Sequence, residues 1–283
     1  MRGVKGKLVC IWSPVLHGEG CSTLSCSVGF GMHHFSGKKV LILNKSNSIS
    51  HMEKYLEKDI EIKYSLDNLK IFNKGISADH ILTYATQVNT GLYMLGGSRF
   101  NRELTKEDTD FDRLFIECCL EGFDLVIADM DTGVRKENRL YLDQADTIIA
   151  VFTPNEIIMD ELFRNEAMQS ALTYFTDKKT VSAINKLYDG WDTGSVTGRY
   201  KGRYSLSRIF GFNYDGDVIN ACCMEKDLYS FLMKELKRGK GGYVKQLHEL
   251  CSFLISELCI EEAVQDSISY GGVFRRLLRS SIQ

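Results

Sequence analysis

The residues between Trp12 and Ser25 have the types and spacing of a phosphate-binding loop. This stretch, WSPVLHGEGCSTLS, follows an apolar run and precedes a segment with helical character. Gly18 and Gly20 would let the backbone approach a phosphate closely, and the N–H groups that begin a helix would point at the anion. The Ser22 hydroxyl would offer a ligand to a magnesium ion. The alternative is a glycine turn that precedes a helix by chance.

Cys21 occupies the position at which such a loop carries a lysine. A thiol supplies no positive charge, whereas phosphoryl transfer depends on neutralising the charge of the transferred phosphate. Removing one electrostatic donor of this kind costs about 2.7–4 kcal/mol of barrier height. We therefore expect slow transfer of a bound phosphoryl group to water, that is slow hydrolysis, or none. A reactive Cys21 thiol is a further alternative, because the N-terminus of a helix lowers a thiol pKa.

Polar residues also stand at the ends of two later apolar runs. Asp129 and Asp131 follow one run, and Asn185 follows another. Because ligands bind at the carboxyl ends of strands in open α/β sheets, we expect Asp129 to contact magnesium through water. The alternatives are a solvated strand end for the aspartates and a simple turn former for Asn185.

Apolar runs of strand length alternate with helical stretches and would position these residues. Near-continuous apolar strands between helices predict an α/β fold with a doubly wound, mostly parallel sheet and helices on both faces. The predicted strands are residues 8–12, 40–43, 91–95, 124–128, 147–152 and 180–184. The predicted helices are residues 23–35, 110–120, 155–172 and 243–258.

Composition narrows the class of protein. The 283 residues carry a net charge of −2, so no overall basic field is available to hold DNA or RNA. Basic residues cluster in 199–208 and 234–245, where a solvated face is the simpler interpretation. Nine cysteines without a CxxC pattern favour reduced thiols in a cytoplasmic protein. No apolar run approaches the roughly 20 residues that cross a bilayer.

Domain organisation is predicted to be simple. Residues 1–265 are expected to form one domain, followed by a basic amphipathic tail, 266–283. The segment 189–204 is rich in glycine, arginine and tyrosine. It predicts a long surface loop, which is either a contact loop for a partner or a disordered insertion.

Several stretches, in order, resemble the ParA/MinD group of P-loop ATPases, whose deviant loop reads KGGVGKTT. Residues 16–23 align with that loop. GKKVLILNKS (37–46) and FDLVIADMDTG (123–133) are similar to the family's second-strand and Walker B motifs. ADTIIAVFTPNEIIMDEL (145–162) and VSAINKLYD (181–189) resemble the segments that follow. The resemblance implies a P-loop NTPase fold and covers most of the chain.

Carried over residue by residue, this resemblance implies a degenerate Walker A loop. Cys21 replaces the lysine that binds the β- and γ-phosphates, and Leu16 replaces the lysine that reaches the partner's nucleotide. Ser46 replaces the aspartate that positions the attacking water, and Asn44 stands two residues earlier. The implied nucleotide-binding residues are Gly18, Glu19, Gly20, Cys21, Ser22, Thr23 and Asn185, and the implied metal contacts are Ser22 and Asp129.

The cofactor implied by the resemblance is ATP or ADP with Mg²⁺. Backbone amides and Ser22 would still hold a nucleotide, since the cradle of a phosphate loop is mostly main chain. A basic residue from elsewhere would have to replace the missing lysines. Arg135 and Lys136, which follow the Walker B strand, are the candidates considered from sequence.

The function implied by the resemblance is that of a positioning or scaffold homodimer that meets across the loop face. A degenerate loop, together with GLYMLGGSR at 91–99, is similar to the TadZ/CpaE branch, which localises pilus or secretion machinery. The alternative is an active ATPase in plasmid or chromosome partitioning or in division-site placement. DNA binding ranks third, because it needs a basic dimer surface.

The C-terminal tail resembles the membrane-targeting helix of the MinD branch. Its apolar and basic residues would give weak, reversible binding to anionic lipid at the inner face of the cell membrane. The alternative is a tail that packs on its own domain or on a partner protein. The residues concerned are Val273, Phe274, Arg275, Arg276, Leu277 and Leu278.

Overall fold

An eight-stranded sheet lies at the centre of the computed structural model, which describes residues 5–15, 18–46, 51–98, 106–165, 169–176 and 179–261. The strands are β1 (Lys7–Trp12), β2 (Val40–Asn44), β3 (Thr86–Asn89), β4 (Leu92–Leu95), β5 (Leu125–Asp129), β6 (Thr147–Phe152), β7 (Thr180–Leu187) and β8 (Ile209–Asn213). Their spatial order is β3-β4-β2-β5-β1-β6-β7-β8. All neighbours pair in parallel except β3 and β4, so the predicted mostly parallel sheet is confirmed.

Helices connect the strands on both faces of the sheet. They are α1 (Cys21–Ser36), α2 (Leu66–Lys70), α3 (Ala78–Tyr84), α4 (Lys106–Gly122), α5 (Lys136–Gln144), α6 (Glu156–Arg164), α7 (Gln169–Thr176), α8 (Thr193–Tyr204), α9 (Gly216–Cys223), α10 (Leu228–Arg238) and α11 (Gly242–Glu257). Short 3₁₀ helices occupy Met52–Leu56 and Asn73–Gly75.

Two apolar cores form because side chains alternate across each strand. Along β1, Leu8, Cys10 and Trp12 enter the core shared with α4, α5 and α8. Val9 and Ile11 enter the opposite core, shared with α1, α10 and α11. Because both faces are covered, the central strands are buried along their whole length, which explains their near-continuous apolar sequences.

Two stretches of the chain depart from the sequence-based expectations. The segment 189–204 was expected to be a loop, but most of it is helix α8. Asp192 caps this helix by accepting a hydrogen bond from the Ser195 N–H at 2.8 Å, and Tyr200 and Tyr204 are buried against the core. Tertiary burial therefore outweighs the poor helix propensity of its glycines. The single helix expected over 155–172 is instead α6 and α7.

The basic cluster on α8 is paired with acidic residues of α6. Arg199 and Arg203 each approach Glu156, at 2.6 Å and 2.7 Å, and Arg203 also bonds Asp160. This pairing agrees with a solvated, charge-balanced face of α8. No helix within the described ranges is long and apolar enough to cross a membrane. Leu16 and the tail residues 266–283 lie outside the described residues.

Candidate functional site

The loop between β1 and α1 leads into a helix whose N-terminus has no side-chain cap. Gly18 and Gly20 adopt positive φ angles of 85° and 87°, and α1 begins directly at Cys21. No acidic residue lies in the first turn of α1, and no side chain hydrogen-bonds to its cap position. The N–H groups of that first turn, together with the helix dipole, therefore favour an anion at this end.

Asp129 ends β5 beside the start of α1. Ser22 Oγ donates to Asp129 Oδ2 at 2.7 Å, and Ser25 Oγ donates to Oδ1 at 3.0 Å. Burial raises the pKa of Asp129 to about 7, although the two serine hydrogen bonds act in the opposite direction. Ser22 and Asp129, both predicted as metal contacts, therefore lie within hydrogen-bonding distance of each other, and Ser25, one helical turn later, is an addition that sequence reasoning missed.

These oxygen ligands fit magnesium rather than a metal held by protein alone. Among the described residues, no group of three or more His, Cys, Asp or Glu side chains could hold a metal ion. Mg²⁺ commonly uses one or two protein oxygens and completes its shell with water and phosphate. The Ser22 hydroxyl and the Asp129 carboxylate provide such a partial set.

Cys21 is a buried thiol with a raised pKa, which argues against the reactive-thiol alternative. Its side chain lies in the apolar core below α1 with 6% exposure. Burial raises the pKa of the Cys21 thiol well above its ordinary value, and the nearby carboxylates of Asp129 and Glu19 raise it further. Burial and these negative charges outweigh the helix N-terminus, which by itself would lower a thiol pKa.

Glu19 turns its carboxyl group inward rather than toward solvent. Burial raises its pKa, while hydrogen bonds from the Thr153 side chain and backbone and the charge of Lys186 act to lower it. One carboxyl oxygen, Oε2, is buried without a hydrogen-bond partner. A carboxylate in this position opposes a phosphate, so an anion is bound most favourably when Glu19 is protonated.

The end of β7 holds the loop from the other side. Asn185 Nδ2 donates to the Glu19 carbonyl oxygen at 2.8 Å, and the Lys186 ammonium donates to the Gly18 carbonyl oxygen. A Cβ atom at Gly20 would stand 2.4 Å from Asn185 Nδ2, so only glycine fits there. Asn185, which was predicted as a nucleotide-binding residue, therefore lies at the loop, and Lys186 joins it.

The residues that align with the second-strand aspartates of ParA/MinD proteins form a separate buried network. Ser46 Oγ donates to Asp131 Oδ1 at 2.6 Å, and the Ser46 N–H donates to Asn44 Oδ1 at 3.0 Å. Asn44 Nδ2 donates to Glu53 Oε1 at 2.8 Å. The Asp131 carboxylate, from the segment that follows β5, therefore lies next to Ser46.

The remaining predicted residues lie elsewhere. The Thr23 side chain acts on the pKa of Tyr55 and Cys222, and the hydroxyls that donate to Asp129 are those of Ser22 and Ser25. Arg135 lies 3.9 Å from Asp131, and Lys136 begins α5.

A cavity of about 540 Å³ lies at the carboxyl ends of β6 and β7, and it is lined in part by Lys186, which contacts Gly18 of the loop. Tyr188 and Trp191 line it and meet edge-to-face with ring centroids 5.3 Å apart. Ile157, which also lines it, is 77% exposed. Sequence reasoning did not single out this aromatic pair, although Trp191 lies in irregular structure before α8 as expected. Aromatic faces, the Lys186 stem and the open rim suit a planar base.

Solved structures with similar folds are ParA- and MinD-type proteins. A ParA family ATPase from Chlorobium tepidum TLS matches with a TM-score of 0.66 and 12% identity over 87% of this chain and 98% of that chain. The MinC:MinD cell division protein complex of Aquifex aeolicus matches with a TM-score of 0.66 and 13% identity over 94% of this chain and 99% of that chain. The ATP complex of an McdA variant from Cyanothece matches with a TM-score of 0.62 and 16% identity over 93% of this chain and 100% of that chain.

These likenesses establish the fold. The chain has the P-loop architecture of ParA/MinD proteins, as its motifs predicted. No protein-family model matches the chain, and no curated protein is significantly similar to it in sequence.

Proposed function

We propose that this protein binds an adenine nucleotide with Mg²⁺ and acts as a positioning or scaffold protein, with slow hydrolysis or none. One observation carries the proposal: the loop keeps an uncapped helix N-terminus and the Ser22–Asp129 pair, while a buried neutral thiol, Cys21, fills the lysine position. The first two features favour phosphate binding. The third removes the charge on which phosphoryl transfer depends.

The nucleotide lies, in this proposal, with its phosphates at α1 and its base toward the cavity beside Tyr188 and Trp191. Asn185 stands between the two, bonded to the Glu19 carbonyl. Its side-chain oxygen accepts from the Lys186 N–H at 3.0 Å, which fixes the orientation of the amide. The base would stack on or lie beside the aromatic pair, and its edge would approach Asn185.

The proposed assembly is a homodimer across the loop face. Ile157, Tyr188 and Trp191 are exposed at 77%, 63% and 45% beside the loop, and exposed apolar groups that cluster favour association. The solved structures with this fold include a MinC:MinD cell division complex, which supports a protein partner in a positioning machine. Localisation of pilus or secretion machinery and reversible contact of residues 266–283 with the inner membrane remain parts of this proposal.

Calorimetric titration with ATP and ADP, with and without Mg²⁺, alongside a phosphate-release assay, tests the proposal. We expect Mg²⁺-dependent binding of both nucleotides without steady release of phosphate. Ser22→Ala should weaken the Mg²⁺-dependent part, whereas Ser252→Ala, at an exposed position of α11, should bind as the wild type does. Absence of binding by either nucleotide would refute the nucleotide role.

A second candidate, an active partitioning or division-site ATPase, is favoured by one observation. The Asp131 carboxylate lies 2.6 Å from the hydroxyl of Ser46. Ser46 is the residue that aligns with the water-positioning aspartate of ParA/MinD ATPases. If Asp131 performs that role, the wild type will release phosphate steadily, and Asp131→Asn will abolish release while leaving nucleotide affinity in place. Steady release of this kind would replace the scaffold proposal with this one.

A further inference from the structure

No lysine or arginine stands between Trp12 and Ser25 in the sequence of the phosphate loop. The Cys21 thiol has a raised pKa, and the carboxyl groups of Asp129 and Glu19 act on it. A nucleotide carries several negative charges, so a loop without any cation would bind it poorly however well its amides are aligned.

Lys186 is the basic side chain that the fold brings to the loop. Its ammonium group donates to the Gly18 carbonyl oxygen across 168 positions of sequence. Its Cε atom lies 3.6 Å from the position that a Cβ at Gly20 would take. Its charge acts on both Glu19 and Cys21. The stem of the same side chain lines the cavity beside Tyr188. Lys186 therefore stands between the phosphate cradle and the proposed base site.

The backbone at Lys186 is held in an unusual conformation. Its φ angle is 59°, in the left-handed region that non-glycine residues rarely adopt, and the register between β7 and β8 shifts at this point. The Asn185 side chain holds the turn by accepting from the Lys186 N–H at 3.0 Å. Strain at one residue of a ligand-facing strand end is a common mark of a functional position.

We propose that Lys186 replaces the missing loop lysine by supplying the cationic contact to the nucleotide phosphates closest to the nucleoside. This inference rests on the proposed nucleotide binding. The side chain would exchange its Gly18 carbonyl partner for a phosphate oxygen, which accepts a charge-assisted bond more strongly. Because Lys186 approaches from the Asn185 side rather than from the start of α1, it contributes to binding ATP and ADP alike and does not restore rapid hydrolysis.

Two substitutions separate this role from a purely structural one. Lys186→Gln retains a hydrogen-bond donor for the Gly18 carbonyl but removes the charge, whereas Lys186→Arg retains the charge. We expect Lys186→Gln to weaken Mg-ADP and Mg-ATP binding by about tenfold to a hundredfold and Lys186→Arg to weaken it far less. Lys234→Ala, at an exposed position on α10, is the matched control.

The titrations would overturn the inference in two ways. Unchanged affinity in Lys186→Gln would show that the charge is not used, and a loss confined to ATP would place the contact at the terminal phosphate instead. Absence of binding by the wild type would be a failure of the proposed function itself, which makes the two failures distinguishable.

A labelling experiment on the wild-type protein covers the case in which Lys186→Gln does not fold. Acetylation of lysines, followed by mass spectrometry, should be slowed by Mg-ADP at Lys186 and unaffected at Lys234. Equal acetylation of Lys186 with and without Mg-ADP would contradict the contact.

Discussion

Asp129→Asn should change how the stability of the protein depends on pH. Asparagine has the shape of the protonated aspartic acid, and its side chain can still bond to Ser22 and Ser25. The Asp129 carboxyl is buried, and its pKa is raised from 3.8 to about 7. Between these two values the folded protein holds a proton that the unfolded chain has released. The free energy of unfolding therefore falls as the pH rises through this window and levels off above it.

The expected size of this effect follows from linkage. Each pH unit inside the window costs 2.3RT, about 1.4 kcal/mol, so raising the pH from about 5 to about 8 should lower the wild-type stability by about 2.5 kcal/mol through this one group. Asp129→Asn has no proton to lose, so its stability should fall by that much less over the same interval. The two proteins should be similarly stable at the lower pH, and the variant should be the more stable one at the higher pH.

Urea denaturation at the two pH values, followed by circular dichroism, measures the difference directly. For each protein we take the change in unfolding free energy between the two pH values. The readout is the change for the wild type minus the change for Asp129→Asn, so that contributions from other titrating groups cancel. Asp189→Asn, at an exposed position after β7, serves as the control and should show the wild-type pH dependence. Equal pH dependence of the wild type and Asp129→Asn would refute the assignment of a raised pKa to this carboxyl.

Three further predictions concern the buried polar groups and the loop. In the wild type the Lys45 ammonium lies 3.3 Å from the buried Asp112 carboxyl. Lys45→Met removes this ionic partner and should lower the free energy of unfolding, measured by urea denaturation, by about 3 kcal/mol. Gly20→Ala places a methyl group 2.4 Å from Asn185 Nδ2 at a φ of 87° and should lower the free energy of unfolding by about 2 kcal/mol in urea denaturation. Cys21 should resist iodoacetamide in the native protein, as detected by mass spectrometry, because its thiol is buried and protonated.

Each of these has a matched comparison within the chain. The double variant Lys45→Met/Asp112→Leu should recover most of the lost stability, and failure to do so would mean that the cost arises from packing. Gly18→Ala has a similar φ but open space around its Cβ, so it should cost less than Gly20→Ala. The exposed thiols of Cys223 and Cys259 should be modified first, and early modification of Cys21 would contradict its burial.

The strands were predictable because burial on both faces leaves a direct mark on sequence. Thr147–Phe152 is predicted and observed with the same bounds, and every residue in it is buried. Ser22 and Asp129 were also predictable, since both stand at the carboxyl edge of the sheet. Ser25 could have been added, because it lies three residues after Ser22 and so shares its helix face.

The helix α8 and the approach of Lys186 to the loop were not predictable from local pattern. Glycine at every fourth position of α8 lowers its helix propensity, and only contacts with α6 and the core reveal why it forms. Lys186 is, in sequence, one lysine after a strand. Its approach to Gly18 depends on a left-handed turn held by Asn185 and on the order of β1, β6 and β7 in the sheet.

The substitutions in the loop are consistent with one another in physical terms. A lysine at position 21 would have to reach out of a buried site, whereas cysteine fits that site as a small apolar residue. Burial raises the pKa of the Asp129 carboxyl to about 7, and it also raises the pKa of Glu19 above its ordinary value. Protonation of either carboxyl group would lower the negative charge that a phosphate meets. In our proposal the Lys186 ammonium, delivered from β7, supplies the positive charge that the thiol at position 21 does not.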